Sequence, residues 1–296
     1  MMVSLHRLNT VMINLMDDHP GLRVPKPVIV IDLFQETLNQ LIGLLSNLTE
    51  AEWDAATICT GWSVKDIALH LLGVEIGNIS FRRDQHNLGR TISDWDELVN
   101  YINIWNQEWV TVSRRISTPL LIELLSDLGQ KANDYFRSLN PFEIGSSVSW
   151  AGPEPKPVWL DIAREYTERW HHQQHIRDAI NKPGLLEPKY MSPVLETFSW
   201  AMAYTFRHVS EPDGTSITLS ITGDAGGKWT LLHEKGGWGF YKGTTMHPDA
   251  EITMDEDTAW RFFTRGVEID RARKLVTVKG NKSIVEPVFE IVSIIG

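Results

Sequence analysis

Cysteine is almost absent from the sequence, and so are the patterns of secretion and membrane insertion. The 296 residues include one cysteine, Cys59, so no disulfide can form within the chain and we expect a reducing compartment. No stretch reaches the ~18 consecutive apolar residues of a membrane-spanning helix. The first 16 residues are interrupted by His6, Arg7 and Asn9, and they lack the apolar core and the cleavage site of a signal peptide. These absences predict a cytoplasmic protein with no membrane partner.

Positive charge is also scarce. The chain carries 28 lysines and arginines against 38 aspartates and glutamates, which gives a net charge of −10. The basic residues nowhere form a dense patch, so no nucleic-acid partner is expected, because phosphate binding depends on clustered positive charge. Small molecules are the partners that this composition favours, and it indicates no particular oligomeric state.

Internal repeats and low-complexity tracts are absent as well, and the hydrophobic pattern divides the chain into three parts. Residues 1–27 end in a stretch rich in proline and predict an extended leader. Residues 28–182 carry apolar side chains at helical spacing and predict a four-helix bundle, whose first helix covers 28–48. Residues 183–296 predict a smaller mixed α+β domain. Its expected helices cover 193–208, 256–263 and 283–295, and its expected strands cover 216–222, 229–234, 237–243, 250–254 and 275–279.

The densest group of potential metal ligands lies in the last helix of the predicted bundle. Three histidines occur within five positions, one helical turn after Glu168. Two pairs share a helix face, Glu168 with His172 and His171 with His175. With Glu168 set at zero on a helical projection, the apolar side chains average roughly 130°, while His172 lies at about 40° and His171 at about 300°. We therefore predict that Glu168 and His172 face the interior. His171 and His175 are predicted to lie at the surface or to support the site, and the alternative that they are the ligands stays open.

A third ligand is predicted on the second helix of the bundle. Ser63 and Asp66 have the spacing of a capping box, and the segment that follows is apolar almost all round. His70 should therefore be buried and in need of a partner. His70, Glu168 and His172 together predict a divalent metal site, with zinc as the first choice and iron or nickel as alternatives. The simpler alternative for His70 is a core histidine that is satisfied by hydrogen bonds.

Two segments of the chain resemble a known family. Residues 61–73 read Gly-Trp-Ser-Val-Lys-Asp-Ile-Ala-Leu-His-Leu-Leu-Gly, and residues 168–179 read Glu-Arg-Trp-His-His-Gln-Gln-His-Ile-Arg-Asp-Ala. Both are similar to segments of the mycothiol-dependent maleylpyruvate isomerase family, which is part of the DinB-like metal-binding bundles. The resemblance implies that residues 28–182 form a DinB-like four-helix bundle.

The resemblance also implies roles for particular residues. In that family, the residues that match His70, Glu168 and His172 hold a divalent metal ion, typically zinc. Residues 248–266 resemble part of the family's C-terminal domain, which is similar to sterol-carrier folds. That second match implies that Arg265 meets the substrate.

The family's chemistry agrees with two imidazoles and one carboxylate. Three protein ligands leave one coordination position open, where a low-molecular-weight thiol such as mycothiol could bind as the thiolate. A thiolate can add to an activated double bond and leave again, which is isomerisation, or it can displace a leaving group, which is transfer. An arginine such as Arg265 suits a small anionic substrate, and Cys59 is predicted to be a small buried residue rather than the nucleophile. Two alternatives stay open: a non-catalytic metal-bearing regulatory or sensor module, and an apolar-ligand carrier that uses the C-terminal domain.

Overall fold

The computed structural model describes residues 19–86, 89, 92 and 94–294. These residues form two compact units. The helical unit comprises the described residues of 28–146 and 155–186 together with residue 294, and the sheet unit comprises 19–27, 147–154 and 187–293. The predicted fold class, a helical bundle followed by a smaller mixed α+β part, is confirmed.

The helical unit is built mainly from long helices, and a capping box marks the start of two of its helices. Its helices are α1 (Ile31–Leu45), α2 (Glu50–Trp53), α3 (Val64–Gly77), α4 (Trp95–Ser113), α5 (Thr118–Ser138) and α6 (Val158–Ala179), and a π-helical turn (Asn78–Arg83) continues α3. Thr49 caps α2 and Ser63 caps α3, each in a capping box. The first helix was predicted to cover 28–48, and α1 begins three residues later and ends three residues earlier. No helix in the described part of the chain is long and apolar enough to cross a membrane.

Helix α3 lies in the core of the helical unit. The Ser63 hydroxyl accepts a hydrogen bond from the Asp66 backbone N–H, and the Asp66 carboxylate accepts one from the Ser63 N–H, at 3.4 and 3.1 Å. This box fixes where the helix begins and therefore which way each later side chain points. Buried apolar side chains of α1 and α5 pack around α3 in one cluster, which includes Leu41, Leu45, Leu121 and Leu125. Burying each such leucine contributes about 1.5–3 kcal/mol. The predicted burial of α3 is confirmed.

Helix α6 is also buried on nearly all sides, although its sequence is polar. Sixteen of its 22 residues are buried, and hydrogen bonds satisfy many of the polar side chains. The Gln173 amide donates to the carbonyl of Thr37 at 3.1 Å, and the Trp170 indole donates to the carbonyl of Leu185 at 2.8 Å. Neighbouring chain segments therefore also cover the side of the helix that its own sequence marks as polar.

The sheet unit is organised around one mixed six-stranded sheet. Its strands are β1 (Leu22–Arg23), β4 (Ser216–Thr222), β5 (Gly227–Glu234), β6 (Gly237–Gly243), β7 (Ala250–Asp255) and β8 (Thr277–Gly280), in the order β1-β6-β5-β4-β7-β8. A separate ribbon pairs β2 (Ile144–Ser147) with β3 (Pro155–Pro157), and all of its residues except Ser147 belong to the helical unit. The pair β4–β7 is parallel and its neighbours are antiparallel. Residues 22–23 of the predicted leader therefore form an edge strand, while residues 1–18 lie outside the described part of the chain.

Some predicted elements of the sheet unit differ from the structure. The helix expected over 193–208 is two helices, α7 (Pro188–Ser199) and α8 (Ala201–Thr205), and α7 begins at Pro188 rather than Pro193. Helix α9 (Glu256–Phe263) matches the predicted 256–263 and is capped by Asp255, but a short helix, α10 (Ile269–Leu275), was missed and precedes β8. The expected final helix is a 3₁₀ segment, Ser283–Glu290. Pro287 lies inside this segment, and its missing N–H disfavours an α-helix there.

Candidate metal centre

The three side chains predicted as ligands lie together inside the helical unit. His70 comes from α3, and Glu168 and His172 come from α6. The Nε2 atoms of His70 and His172 lie 3.1 and 3.2 Å from Oε1 of Glu168, and the two imidazole rings meet edge to face with centroids 4.5 Å apart. One donor atom from each of the three residues lies within 4.8 Å of the other two.

Each of these side chains is positioned by a separate feature of the fold. The capping box sets the start of α3, and the ring of Trp62 packs against His70 with centroids 5.2 Å apart. Glu168 and His172 are four residues apart on α6, so they lie one above the other on one face. Next to Glu168, Arg169 forms a buried ion pair with Glu75 of α3 at 2.7 Å. This pair joins the two helices that carry the ligands.

The electrostatics of the group favour a carboxylate between two imidazoles. Burial raises the pKa of the Glu168 carboxyl, but His172 and His70 outweigh it and hold the pKa well below the usual range. Burial lowers the pKa of His172, although Glu168 opposes that effect. The carboxylate oxygen can only accept hydrogen bonds, so each Nε2 carries the proton in this arrangement. The Nδ1 of His172 is then a lone pair, and it is buried without a hydrogen-bond partner.

The donor set fits a divalent cation. With bonds of about 2.1 Å, neighbouring donors of a tetrahedral ion lie about 3.4 Å apart, close to the 3.1 and 3.2 Å found here between the carboxylate oxygen and each imidazole. Two imidazoles and a carboxylate suit zinc and also the facial arrangement of non-haem iron. Small shifts and loss of the two Nε2 protons would turn hydrogen-bond partners into ligands.

The remaining histidines of α6 were predicted to lie at the surface or to support the site, and both are buried, which excludes the surface positions. His171 is 3% exposed and His175 is 7% exposed. The Nδ1 of His171 lies 3.1 Å from the carbonyl of Thr167, and burial together with His172 lowers the pKa of His171 to about 3. The rings of His171 and His172 lie 3.9 Å apart between centroids. The ring of His175 also meets that of His172 edge to face, with centroids 5.3 Å apart, so both histidines lie beside the candidate metal centre.

Sequence reasoning did not foresee the surroundings of Cys59. Its Sγ lies 3.4 Å from Nδ1 of His175, 116 residues away, and donor atoms of Cys59, His172 and His175 all lie within 4.8 Å of one another. Cys59 is half-buried, and burial raises the pKa of its thiol to about 11. No local pattern signals this contact, because the loop before α3 carries no spacing that relates it to α6.

Arg265 belongs to the sheet unit and is described there by itself. It follows the C-terminal end of α9 and has a left-handed backbone conformation with φ of 59°, which is uncommon outside glycine. Its guanidinium donates a hydrogen bond to the carbonyl of Phe289 at 2.9 Å. The side chain is exposed, so solvent or a solute can reach it. Its role towards a substrate stays a prediction.

Comparison with known proteins identifies relatives of both sequence and fold. Residues 34–177 match the family profile described as mycothiol maleylpyruvate isomerase N-terminal domain. The matched region runs from within α1 almost to the end of α6, and it contains His70, Glu168 and His172. No curated protein sequence matches the chain at a significant level.

Solved structures of similar fold include two crystal structures of mycothiol-dependent maleylpyruvate isomerase. A histidine-to-alanine mutant of that enzyme is 11% identical, covers 84% of this chain and 91% of its own, and has a TM-score of 0.50. The other structure is 12% identical with the same coverages and a TM-score of 0.49. Sterol carrier protein 2 from Yarrowia lipolytica is 13% identical over 45% of this chain and 88% of its own, with a TM-score of 0.21. At 11% identity, the similarity to the structure of the mutant enzyme concerns the fold alone.

Proposed function

Because the chain belongs, through residues 34–177, to the family of mycothiol maleylpyruvate isomerase N-terminal domains, we propose that it is a metal- and thiol-dependent enzyme. It isomerises a small anionic substrate, or transfers the thiol to it. One observation carries the proposal. The half-buried Glu168 carboxylate lies within 3.2 Å of two buried imidazoles from separate helices, which is a donor set for a catalytic cation.

His70, Glu168 and His172 are the residues that would hold the cation in this proposal. A divalent ion bound there lowers the pKa of a coordinated thiol and so supplies a thiolate at neutral pH. Glu168 contributes the negative charge, and its depressed pKa keeps that charge through the neutral range. Each imidazole has to carry its proton on Nδ1 when Nε2 is the ligand, and the free Nδ1 of His172 is able to accept it.

The reaction class follows from the chemistry of a thiolate and an unsaturated anion. The thiolate adds to the activated carbon–carbon double bond, and the bond that becomes single can rotate. Loss of the same thiolate restores the double bond in the other geometry, so the thiol is regenerated and no atoms are gained or lost. With a leaving group in place of the double bond, the same thiolate gives substitution. The burial of His70 and His172 excludes bulk water, which strengthens the electrostatic interactions of the site.

Metal analysis of the purified full-length protein tests this proposal. With Cys59→Ser in every variant, so that its thiol cannot supply a ligand beside His172, we expect about one divalent ion per chain and loss of that ion when His70→Ala, Glu168→Ala or His172→Ala is added. His208→Ala, at an exposed position of the sheet unit, is the matched control and should keep the ion. Unchanged metal content in both His70→Ala and Glu168→Ala would remove the basis of the proposal.

Turnover is tested with the metal-loaded protein, mycothiol and a panel of cis-configured unsaturated dicarboxylates, followed by ultraviolet absorbance. The wild type should isomerise at least one of them only when the thiol is present, and Glu168→Ala should not. If the protein binds the metal ion but does not bind the thiol, the proposed enzymatic function is refuted and the metal-bearing regulatory module is favoured.

One observation favours that alternative. Cys59 and His175 lie beside His172. If either supplied a fourth protein ligand, the coordination shell of the ion would be complete and no position would remain for a thiol. In that case the loaded protein would not bind mycothiol, whereas Cys59→Ser would.

A further inference from the structure

Next to the proposed catalytic set, the helical unit holds a second group of potential ligands. Sγ of Cys59 lies 3.4 Å from Nδ1 of His175, and the donor atoms of Cys59, His172 and His175 all lie within 4.8 Å of one another. With bonds of about 2.1 Å to nitrogen and 2.3 Å to sulfur, such donors lie about 3.6 Å apart around a tetrahedral ion. The Cys59–His175 distance therefore fits two ligands of one cation.

His172 supplies an independent indication that this group binds something. The residue is 8% exposed, and its Nδ1 is buried without a hydrogen-bond partner. A buried polar nitrogen without a partner is destabilising, and a ligand on it would remove that cost. Because Nε2 lies against Glu168, we assign Nδ1 of His172 to the group with Cys59 and His175.

We propose that Cys59, His172 and His175 form a second cation-binding set, for borderline-soft transition-metal ions such as Zn²⁺. A thiolate with two imidazoles suits such ions and disfavours Mg²⁺ and Ca²⁺, which bind oxygen. Binding replaces the S–H bond of Cys59 by a bond from sulfur to the ion and releases the proton to solvent. The set goes beyond the proposed function and depends on it only through the shared residue, His172.

Sharing His172 couples the two sets. A neutral imidazole has one proton and one lone pair, so it can serve His70 and Glu168 through Nε2 or Cys59 and His175 through Nδ1. Both sets can be filled at once only if His172 also loses its second proton and bridges two ions as an imidazolate. The second ion should therefore bind the wild type roughly tenfold or more weakly than it binds a protein without the first set, because two like charges approach across one ring.

Titration with Co²⁺ tests this inference, because a thiolate bound to Co²⁺ has a charge-transfer absorption in the near ultraviolet that imidazole and carboxylate ligands lack. The full-length protein is stripped of metal and kept reduced with a phosphine, so that Cys59 is the only thiol present. The wild type should bind two equivalents, and the thiolate absorption should grow with the second. A His70→Ala/Glu168→Gln variant should bind one equivalent and show the absorption from the start.

Matched variants separate this inference from the proposed function. Cys59→Ser changes one atom and should abolish the absorption while one equivalent still binds. Glu168→Gln alone keeps an oxygen acceptor for both imidazoles, so it serves if the double variant does not fold. The inference is overturned if no variant shows the absorption, if it persists in Cys59→Ser, or if it requires His70 and Glu168. The last result would indicate one closed site that includes Cys59. If binding of the first equivalent is lost but the absorption is kept, the inference about the second set still stands.

Discussion

Removing one partner of the buried ion pair between Arg169 and Glu75 should cost the helical unit several kcal/mol, because it leaves the other charge buried and unpaired. The Arg169 guanidinium donates to both carboxylate oxygens of Glu75 at 2.8 and 2.7 Å and to the carboxylate of Glu165 at 2.9 Å. It also packs over the rings of Phe34 and Phe136, at 5.2 and 5.5 Å from their centroids. Arg169→Met keeps much of the apolar contact and removes the charge.

The two carboxylates respond differently to that change. Glu165 keeps ion pairs with Arg164 and Arg82, whereas the structure shows Glu75 paired with Arg169. Burial already raises the pKa of Glu75, and Arg169 opposes that effect. Without the arginine, Glu75 becomes protonated in the folded protein. Taking up that proton at pH 7, against an unfolded pKa of about 4.3, costs at most about 3.7 kcal/mol. This value agrees with the about 3–5 kcal/mol found when one partner of a buried pair is removed.

The pH dependence of the stability lost in Arg169→Met identifies the cause of that loss. A carboxyl whose folded pKa is raised above its unfolded value favours folding below the unfolded pKa, and that contribution is lost as pH rises. The loss in Arg169→Met should therefore be largest near pH 7 and shrink towards pH 5, by up to about 1.4 kcal/mol per pH unit. Glu75→Gln added to Arg169→Met should recover stability and remove the pH dependence.

Urea unfolding of the full-length variants, followed by tryptophan fluorescence at pH 7 and pH 5, measures these differences. The wild type and Glu75→Gln alone complete the mutant cycle. A loss below about 1 kcal/mol in Arg169→Met at pH 7, less than a typical buried-pair deletion, would refute this account. So would an equal loss at both pH values, which would point to packing rather than charge.

Other predictions concern the parts that position His70 and the substrate. Ser63→Ala removes one half of the capping box of α3 and should cost about 1 kcal/mol in urea unfolding; an unchanged midpoint would contradict that role. Gly73→Ala places a Cβ 2.7 Å from the ring of Trp109, whose indole donates to the carbonyl of Leu69 at 2.7 Å. The substitution should lower the free energy of unfolding by about 1–3 kcal/mol through overpacking. A thermal unfolding midpoint at or above that of the wild type would show that the Trp109 ring can move aside. If Arg265 binds the substrate carboxylate, Arg265→Gln should raise KM more than it lowers kcat, and Arg265→Lys should restore part of the loss; unchanged KM in both would remove Arg265 from the site.

Local sequence determined the features that depend on neighbours within a few residues. The Ser63–Asp66 spacing gave the start of α3, and the apolar surface of α3 on all sides gave the burial of His70. The four-residue spacing of Glu168 and His172 placed both on one face, and alternation with turn residues located β4 to β7. These predictions succeeded because helix and strand periodicity states which side chains need burial before any tertiary contact forms.

Tertiary structure alone decided what surrounds those side chains. A projection of α6 uses only the helix's own residues, so it cannot show that other segments also cover the face that bears His171 and His175. The contact of Cys59 with His175 and the pair of Glu75 with Arg169 join residues 116 and 94 positions apart. Such distances depend on how helices pack, on crossing geometry and on side-chain volumes, which no periodicity within one segment encodes.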